Sequence, residues 1–300
     1  MSSVMDAGRS AAPDAPLIAL ADWRLPGRGE AALDLAFQHR VRGIQFDLGG
    51  PGRGPWLDAA GQPARLARTA RCAGVAPLAV AGNVLNDLGL TAPEGSLDAG
   101  RVRDVLARLL DAAGELGAPL VFVPSFRRSA IDGEGAFVRT VAVLRAAAGE
   151  AAARGLLLAS ENTLAPRAAL RLAEEVASPA FRLLLDTYNP VAAGVDPVAL
   201  VAGTAGHLAG QVHVKDGPDG TAPLGDGDGG IGATLDALAE HAVPVGALVL
   251  ENDHRGGDRE RLADDLDRLR AFAERLAATT AATTTTASAE TVRTAETAGT

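Results

Sequence analysis

The chain has 300 residues, a formal net charge of −9 and a single cysteine, Cys72. An acidic surface repels phosphate backbones, so we expect no nucleic-acid partner. One cysteine excludes an intramolecular disulfide. The first residues lack the apolar core of a signal peptide, and no run of roughly 18 apolar residues occurs. We therefore predict a cytoplasmic protein with no membrane partner.

Composition also divides the chain into a folded part and two tails. Apolar residues make up 47% of the sequence and aromatic residues 3%, so the core must be built from Ala, Leu and Val. Residues 1–15 are small and polar, and residues 279–300 form a Thr/Ala-rich tract with little to bury. Both are predicted to be disordered, because such segments bury too little apolar surface to offset the entropy of ordering. A single catalytic domain is expected at residues 16–278.

Eight short apolar runs read as strands, at residues 16–22, 43–49, 76–83, 118–125, 156–162, 182–189, 211–216 and 247–253. Continuous apolar runs are typical of parallel strands buried on both faces. Amphipathic helical patterns lie between them, the clearest at residues 97–117, 135–155 and 258–277, with an apolar pattern at 30–40. Gly117 and Gly155 stand where helix C-caps are expected.

Eight β–α pairs in this length predict a (β/α)8 TIM barrel. A doubly wound open sheet is the main alternative. It would carry a glycine-rich phosphate loop after the first strand, and "DWRLPGRGE" at residues 22–30 is a poor version of one.

Polar residues close the last four strands of the predicted barrel, in "SEN", "LDTYN", "HVKD" and "LEND". The carboxyl ends of barrel strands meet at one face, which brings together Glu161, Asp186, His213 and Glu251. Alone, each residue also fits a loop-facing carboxylate or a core histidine. Together, three buried carboxylates would repel one another without a cation. This oxygen-rich set predicts one divalent metal ion, Mn²⁺, Mg²⁺, Co²⁺ or Zn²⁺.

These strand ends, with "PLGDGDGGIGATLDAL" after the seventh strand, resemble the xylose-isomerase-like TIM barrels, the sugar phosphate isomerase/epimerase group. The resemblance is clearest from residue 156 to 253. It implies a metal held by Glu161, Asp186, His213 and Glu251, with Glu161 and Glu251 as the catalytic acid/base pair. The chain departs from many relatives where it has Asn189, Asn83 and Ser125 in place of histidines.

Several other residues are candidates for substrate binding. Lys215 is expected either to contact a substrate hydroxyl, carboxylate or phosphate or to pair with Asp216. Trp56 is read as a lid over the sugar or as a surface anchor, and the remaining candidates, Asn83, Asn189 and His254, as polar lining or loop residues. Arg127 and Arg128 fit an anion site or a solvated rim pair. The glycine stretch at residues 225–232 predicts a mobile loop, since Asp226 and Asp228 would repel phosphate.

The function predicted first is a metal-dependent isomerase or epimerase of a keto-sugar or related polyol, in which a glutamate moves a proton through a metal-stabilised enediolate. The alternative is a metal-dependent dehydratase (lyase) of a cyclic polyol, such as an inosose or dehydroshikimate. A non-catalytic barrel that binds a small molecule and an apurinic-site endonuclease are weaker readings. The sequence is compatible with a homo-oligomer.

Overall fold

The computed structural model describes residues 15–298, with side chains described as far as Thr283. Its centre is a closed barrel of eight strands: β1 Leu17–Ala21, β2 Gly43–Asp47, β3 Ala76–Ala81, β4 Leu120–Pro124, β5 Leu157–Glu161, β6 Phe181–Asp186, β7 Leu208–Val214 and β8 Ala247–Leu250. Each strand pairs in parallel with the next, and β8 pairs with β1. The predicted TIM barrel is confirmed, and the open sheet is excluded because the barrel closes.

Ten α-helices surround the barrel: α1 Glu30–Gln38, α2 Gln62–Ala73, α3 Leu85–Leu88, α4 Leu97–Leu116, α5 Glu134–Ala153, α6 Pro166–Val176, α7 Asn189–Ala192, α8 Pro197–Thr204, α9 Ile231–Glu240 and α10 Arg259–Ala298. Local signals explain where α4 starts and stops. The Ser96 hydroxyl accepts from Ala99 N, and Gly117 takes the left-handed conformation that closes a helix C-terminus. Gly155, two residues after the end of α5, also has a positive φ.

The barrel interior is lined largely by small side chains. Alanines on four strands form much of the buried inner layer, together with a few larger apolar residues: Ala19, Ala21, Ala79, Ala81, Leu120, Phe122, Ala159, Leu184, Ala209 and Val249. The large aliphatic side chains instead pack between strands and helices. An interior of small residues leaves room for polar side chains within the barrel, which matters for the site described below.

Helix α10 continues beyond residue 278, where the sequence predicts the catalytic domain to end, and its backbone is described as far as Ala298. The predicted disorder of the 279–300 tail stays a prediction, and residues 1–14 of the predicted N-terminal segment lie outside the described residues. Within the described part of the chain, none of the helices has the length and hydropathy needed to cross a membrane.

Candidate active site and metal centre

The four predicted metal ligands lie together at the carboxyl end of the barrel. Glu161 and Asp186 end β5 and β6, His213 lies one residue before the end of β7, and Glu251 follows β8 directly. The register pairs Asp186 with His213, which places neighbouring strand ends at one level. One ligand atom from each residue lies within 4.8 Å of the others, and all four residues are buried. Four consecutive strands therefore converge on a space the size of one ion.

The chemistry of this set fits a divalent cation. Three carboxylates buried side by side are unfavourable unless positive charge lies among them. The His213 Nδ1 atom is buried 3.5 Å from Glu161 Oε1 and 3.7 Å from Glu251 Oε2, and it has no hydrogen-bond partner among the described residues. A buried nitrogen that faces carboxylates without a hydrogen bond is typical of a metal ligand.

Lys215 supplies positive charge from within the site. Its ammonium lies 2.9 Å from Glu251 Oε2 and 3.2 Å from Asp186 Oδ2. Burial alone would lower the pKa of Lys215, but Asp186 and Glu251 outweigh it and raise the pKa, so the side chain stays charged. Three carboxylates, this ammonium and one divalent ion together are electrically neutral. This sum leaves out the Arg24 guanidinium, 3.5 Å from Glu251 Oε1, and it shows that the three carboxylates can accommodate a divalent ion with Lys215 in place.

The carboxylates respond differently to this environment. Burial raises the pKa of Asp186 to about 6, with the charge of Lys215 acting against it. Burial also acts to raise the pKa of Glu251, but Lys215, Arg24 and His213 outweigh it and hold that pKa well below its usual range. Glu251 is therefore a carboxylate at neutral pH.

One carboxylate oxygen of Asp186 accepts two backbone hydrogen bonds. Its Oδ1 accepts from Tyr188 N at 2.8 Å and from Asn189 N at 2.5 Å, at the start of α7. Its Oδ2 is the atom that faces Lys215. The short helix thus fixes the carboxylate so that one oxygen points into the metal centre.

Trp23 and Arg24 belong to the site and were missed by the sequence prediction. The Trp23 indole donates to Glu251 Oε1 at 3.0 Å, and Arg24 Nε lies 3.5 Å from the same oxygen. Both follow β1 in a 3-10 turn. The signal that could have found them is the polar sequence "DWR" at a strand end, which was weighed only as a phosphate loop.

The predicted substrate-binding residues divide into two groups. Lys215 and Asn189 are in the site, and the Asn189 amide donates to Glu161 Oε1 at 2.8 Å. Asn83 follows β3 in a half-buried position at the same end of the barrel.

Trp56 and His254 are held by other partners. Trp56 packs against the core and is covered by the Arg108 guanidinium, 3.6 Å from its ring centre. His254 is buried, and its Nε2 lies 3.2 Å from Asp265 of α10. The carboxylate supplies the polar partner that a buried imidazole needs. The geometry supports the anchor reading for Trp56 and a structural contact for His254.

The glycine stretch after β7 is tied down by Asp216. The two carboxylate oxygens of Asp216 accept from four backbone N–H groups, those of Gly217, Gly225, Gly227 and Gly229, at 2.9–3.1 Å. A Cβ at Gly227 would lie 2.3 Å from Asp216 Oδ1. The predicted mobile loop is therefore corrected to an ordered one, and the Asp216 side chain serves the loop rather than pairing with Lys215.

Arg127 and Arg128 lie on the rim beyond β4. They are 59% and 62% exposed and pair with Asp87 and Asp98. Arg53, from the loop after β2, pairs with the same Asp87 at 2.7 Å and is 19% exposed. The rim pair of the sequence prediction is thus part of a larger arginine group at the mouth of the barrel.

Comparison with known proteins agrees with this geometry. The sequence profile of the xylose isomerase-like TIM barrel family matches residues 33–272. A protein of Actinoplanes sp. named 2-epi-5-epi-valiolone 7-phosphate 2-epimerase is 52% identical over 259 residues, which cover 85% of this chain and 94% of that protein. An epimerase is the enzyme class that the sequence predicts.

Solved structures share the fold at low identity. D-psicose 3-epimerase from Clostridium cellulolyticum H10, solved with D-tagatose, has a TM-score of 0.70 at 15% identity, over 87% of this chain and 99% of that one. An L-ribulose 3-epimerase has a TM-score of 0.67 at 19% identity, over 95% of this chain and 98% of that one. With the barrel, the converging strand ends and the profile match in agreement, the chain belongs to the family of xylose isomerase-like TIM barrels.

Proposed function

We propose that the protein is a divalent-metal-dependent epimerase that inverts a carbon next to the ketone of a phosphorylated, polyhydroxylated substrate. The observation that carries this proposal is the placement of two glutamates around one imidazole. Glu161 and Glu251 come from β5 and β8, and each approaches His213 Nδ1 within 3.7 Å. Two carboxylates beside one cation site are what a two-base proton transfer requires.

Epimerisation removes a proton from one face of a carbon and returns a proton to the other face. The C–H bond beside a ketone is a weak acid, so its ionisation needs nearby positive charge. A divalent ion held by Glu161, Asp186, His213 and Glu251 would supply that charge at the ketone and hydroxyl oxygens. One glutamate, as the carboxylate, accepts the proton, and the other, protonated from solvent before the step, donates a proton to the opposite face.

The neighbouring side chains orient the two bases. Asn189 donates to one oxygen of Glu161, and Trp23 donates to one oxygen of Glu251. A hydrogen bond of this kind fixes the carboxylate rotamer and favours its charged form. Lys215 remains protonated beside Glu251 and can donate to a substrate oxygen.

The relative named as a valiolone 7-phosphate 2-epimerase supports this substrate class, since it shares 52% identity over most of both chains. The arginine group around Asp87 supports a phosphorylated substrate, because guanidinium groups recognise phosphate oxygens in pairs. The loop held by Asp216 and the half-buried Trp23 beside Glu251 also help to exclude water from the reaction.

The test is to incubate the protein and Mn²⁺ with 2-epi-5-epi-valiolone 7-phosphate in D₂O. An epimerase produces the inverted isomer with one deuterium at the inverted carbon, seen by NMR and mass spectrometry. Loss of one water from the product would instead identify a dehydratase. EDTA should abolish the reaction and Mn²⁺ should restore it. Glu161→Gln and Glu251→Gln should each lose turnover, whereas Glu240→Gln, on the exposed end of α9, should not.

A further inference from the structure

Two glutamine side chains lie inside the barrel next to His213. Gln45 is on β2 and is fully buried, and Gln211 is on β7, two residues before His213. Residues two apart on a strand point to the same face, so Gln211 and His213 both face the barrel interior. Barrel interiors are usually filled by apolar side chains, and a buried amide is unfavourable unless its donors and acceptors are satisfied.

The two amides form a chain of hydrogen bonds that ends on the backbone. Gln211 Nε2 donates to the Leu78 carbonyl at 2.9 Å, and Gln45 Nε2 donates to Gln211 Oε1 at 2.8 Å. Gln45 Oε1 in turn lies 2.8 Å from His213 Nε2. We call this series, from Leu78 through Gln211 and Gln45 to His213, the amide relay.

The direction of the amide relay follows from its backbone end. A carbonyl oxygen can only accept, so Leu78 requires the NH₂ group of Gln211 to face it. The Gln211 oxygen then faces Gln45 and requires its NH₂ group. The Gln45 oxygen is left for His213, which must donate from Nε2. Each hydrogen bond allows one orientation of the amide. The direction of donation therefore follows from the Leu78 carbonyl and not from the assignment of the amide oxygen and nitrogen atoms.

A register shift makes the Leu78 carbonyl accessible. Between β2 and β3, Ile44 pairs with Pro77 and Gln45 pairs with Ala79, so the pairing skips Leu78. The β6–β7 register also shifts just before His213, between the pairs Leu183–Leu208 and Leu185–Val212. Bulges of this kind re-aim side chains next to active sites. Both ends of the amide relay thus lie where the regular pairing is interrupted.

We propose that Gln45 and Gln211 are positioning residues that hold the His213 proton on Nε2, so that Nδ1 presents its lone pair to the metal. Two carboxylates favour the opposite tautomer, with the proton on Nδ1. Glu161 and Glu251 lie 3.5 and 3.7 Å from Nδ1 and would attract a proton there, which would block metal binding. Hydrogen bonds to the distal nitrogen of a ligating histidine set which nitrogen binds metal, and their loss typically lowers metal affinity 10–100-fold.

The first test is the dissociation constant for Mn²⁺, measured by titration calorimetry on full-length variants. Gln45→Met removes the acceptor and should weaken binding about 10–100-fold. Gln45→Glu keeps an acceptor for His213 but sets its second oxygen against Gln211 Oε1, so it should recover only part of the affinity. Gln211→Met frees the Gln45 amide to rotate and should weaken binding by a smaller factor. The double variant Gln45→Met/Gln211→Met should bind as Gln45→Met does, because Gln211 acts through Gln45.

Two outcomes overturn the amide relay. One is equal Mn²⁺ affinity in Gln45→Met and wild type. The other is a loss of affinity in the double variant equal to the product of the two single losses. Unfolding curves in EDTA identify any variant that fails to fold. The second measurement avoids substitution. In zinc-loaded wild type, long-range ¹H–¹⁵N spectra of the His213 ring should show a protonated Nε2 and an unprotonated Nδ1. The reverse pattern contradicts the proposal.

The inference rests on the proposed function, since it assigns His213 to a metal, but the two fail differently. A wild type that binds neither Mn²⁺ nor Zn²⁺ contradicts the metal-dependent epimerase. In that case the His213 ring is assigned in the metal-free protein, where a neutral ring protonated on Nδ1 overturns the amide relay and one protonated on Nε2 supports it. Normal metal binding with an insensitive Gln45→Met variant overturns the amide relay and leaves the epimerase standing.

Discussion

The indole of Trp23 and the carboxylate of Glu251 are joined by a 3.0 Å hydrogen bond across the seam where the barrel closes. Trp23 follows β1 and Glu251 follows β8, so the first and last strands meet at one of the two proposed bases. The Trp23 ring also packs against Phe122 and lies 6.1 Å from the His213 ring centre. One side chain thus contacts a proposed base and packs beside a proposed metal ligand.

Trp23→Phe should lower kcat for epimerisation about 10–100-fold, since a hydrogen bond to a charged group contributes about 1.5–3 kcal/mol. The lost donor stabilises the charged carboxylate, so the acidic limb of the pH–rate profile should move to higher pH. The measurement is kcat from about pH 3.5 to 9, because the Glu251 pKa lies well below its usual range. Trp56→Phe, which alters a tryptophan covered by Arg108, should leave that limb in place. An unmoved limb in Trp23→Phe would contradict this role.

Lys215→Met should destabilise the metal-free protein more than the Mn²⁺-loaded one. Removing one partner of a buried ion pair typically costs about 3–5 kcal/mol, because unpaired charge remains buried. Here three carboxylates would remain, and a divalent ion would partly neutralise them. Thermal unfolding with EDTA and with Mn²⁺ measures the gap, which should widen in the variant.

The control is Arg255→Met, which breaks an exposed pair with Asp253. It should change stability by less than about 1 kcal/mol in both states. An equal loss with and without Mn²⁺ in Lys215→Met would show that the ammonium does not share its role with the cation.

The arginine group predicts how the phosphate is recognised. Arg53 and Arg127 share one carboxylate, Asp87, at 2.7 and 3.1 Å, so these three side chains together carry one positive charge in excess. Arg53→Met should raise KM about 10-fold for the phosphorylated ketone, the cost of roughly one charge-assisted hydrogen bond. KM for the dephosphorylated ketone should not change. Arg275→Met, which breaks an ion pair with Asp236 of α9, is the matched control. An equal rise for both ketones would contradict phosphate recognition.

Asp22 gives the folded protein a pH-dependent stability. Burial, with the neighbouring Asp47 carboxylate, raises its pKa to about 7 from 3.8. The folded state therefore keeps a proton that the unfolded chain loses above pH 4. Its contribution is fully present below about pH 4 and is lost as pH rises through 7, by up to about 4 kcal/mol.

Asp22→Asn cannot lose this proton and should flatten the decline. Urea unfolding in EDTA at pH 5 and pH 8 measures the difference. The wild type should lose more stability than the variant between these two values. Asp236→Asn, at a surface ion pair, should keep the wild-type slope. Parallel slopes in wild type and Asp22→Asn would show that Asp22 is ionised in the folded protein at both values.

The barrel and its four converging ligands are predictable because they depend on local patterns. Apolar runs mark the strands, and parallel strands in a barrel must end at one face. The amide relay is not predictable in this way. Gln45, Gln211 and Leu78 come from three strands, and their contact depends on two register shifts. The role of Trp23 is not predictable for a similar reason, since its partner Glu251 is 228 residues away.

The hydrogen bonding of the glycine-rich loop after β7 is also not predictable from its composition. Glycines and aspartates at residues 225–232 suggest mobility, but the buried Asp216 carboxylate accepts from Gly217 N and from three backbone N–H groups of this stretch. The decisive residue, Asp216, lies outside this stretch, two residues after the end of β7. The composition of the loop does not indicate which side chain accepts the hydrogen bonds of its backbone.

The Asp216 contact also limits how the enzyme can evolve. With no room for even one methyl group at Gly227, that edge of the mouth keeps its size through mutation. Adaptation to larger or smaller substrates must therefore come from the opposite edge, where the loops after β1 to β4 present tryptophan and arginine side chains. In laboratory evolution of this barrel, changes that alter substrate range should accumulate in those loops, while Gly227 and Gly229 stay unchanged.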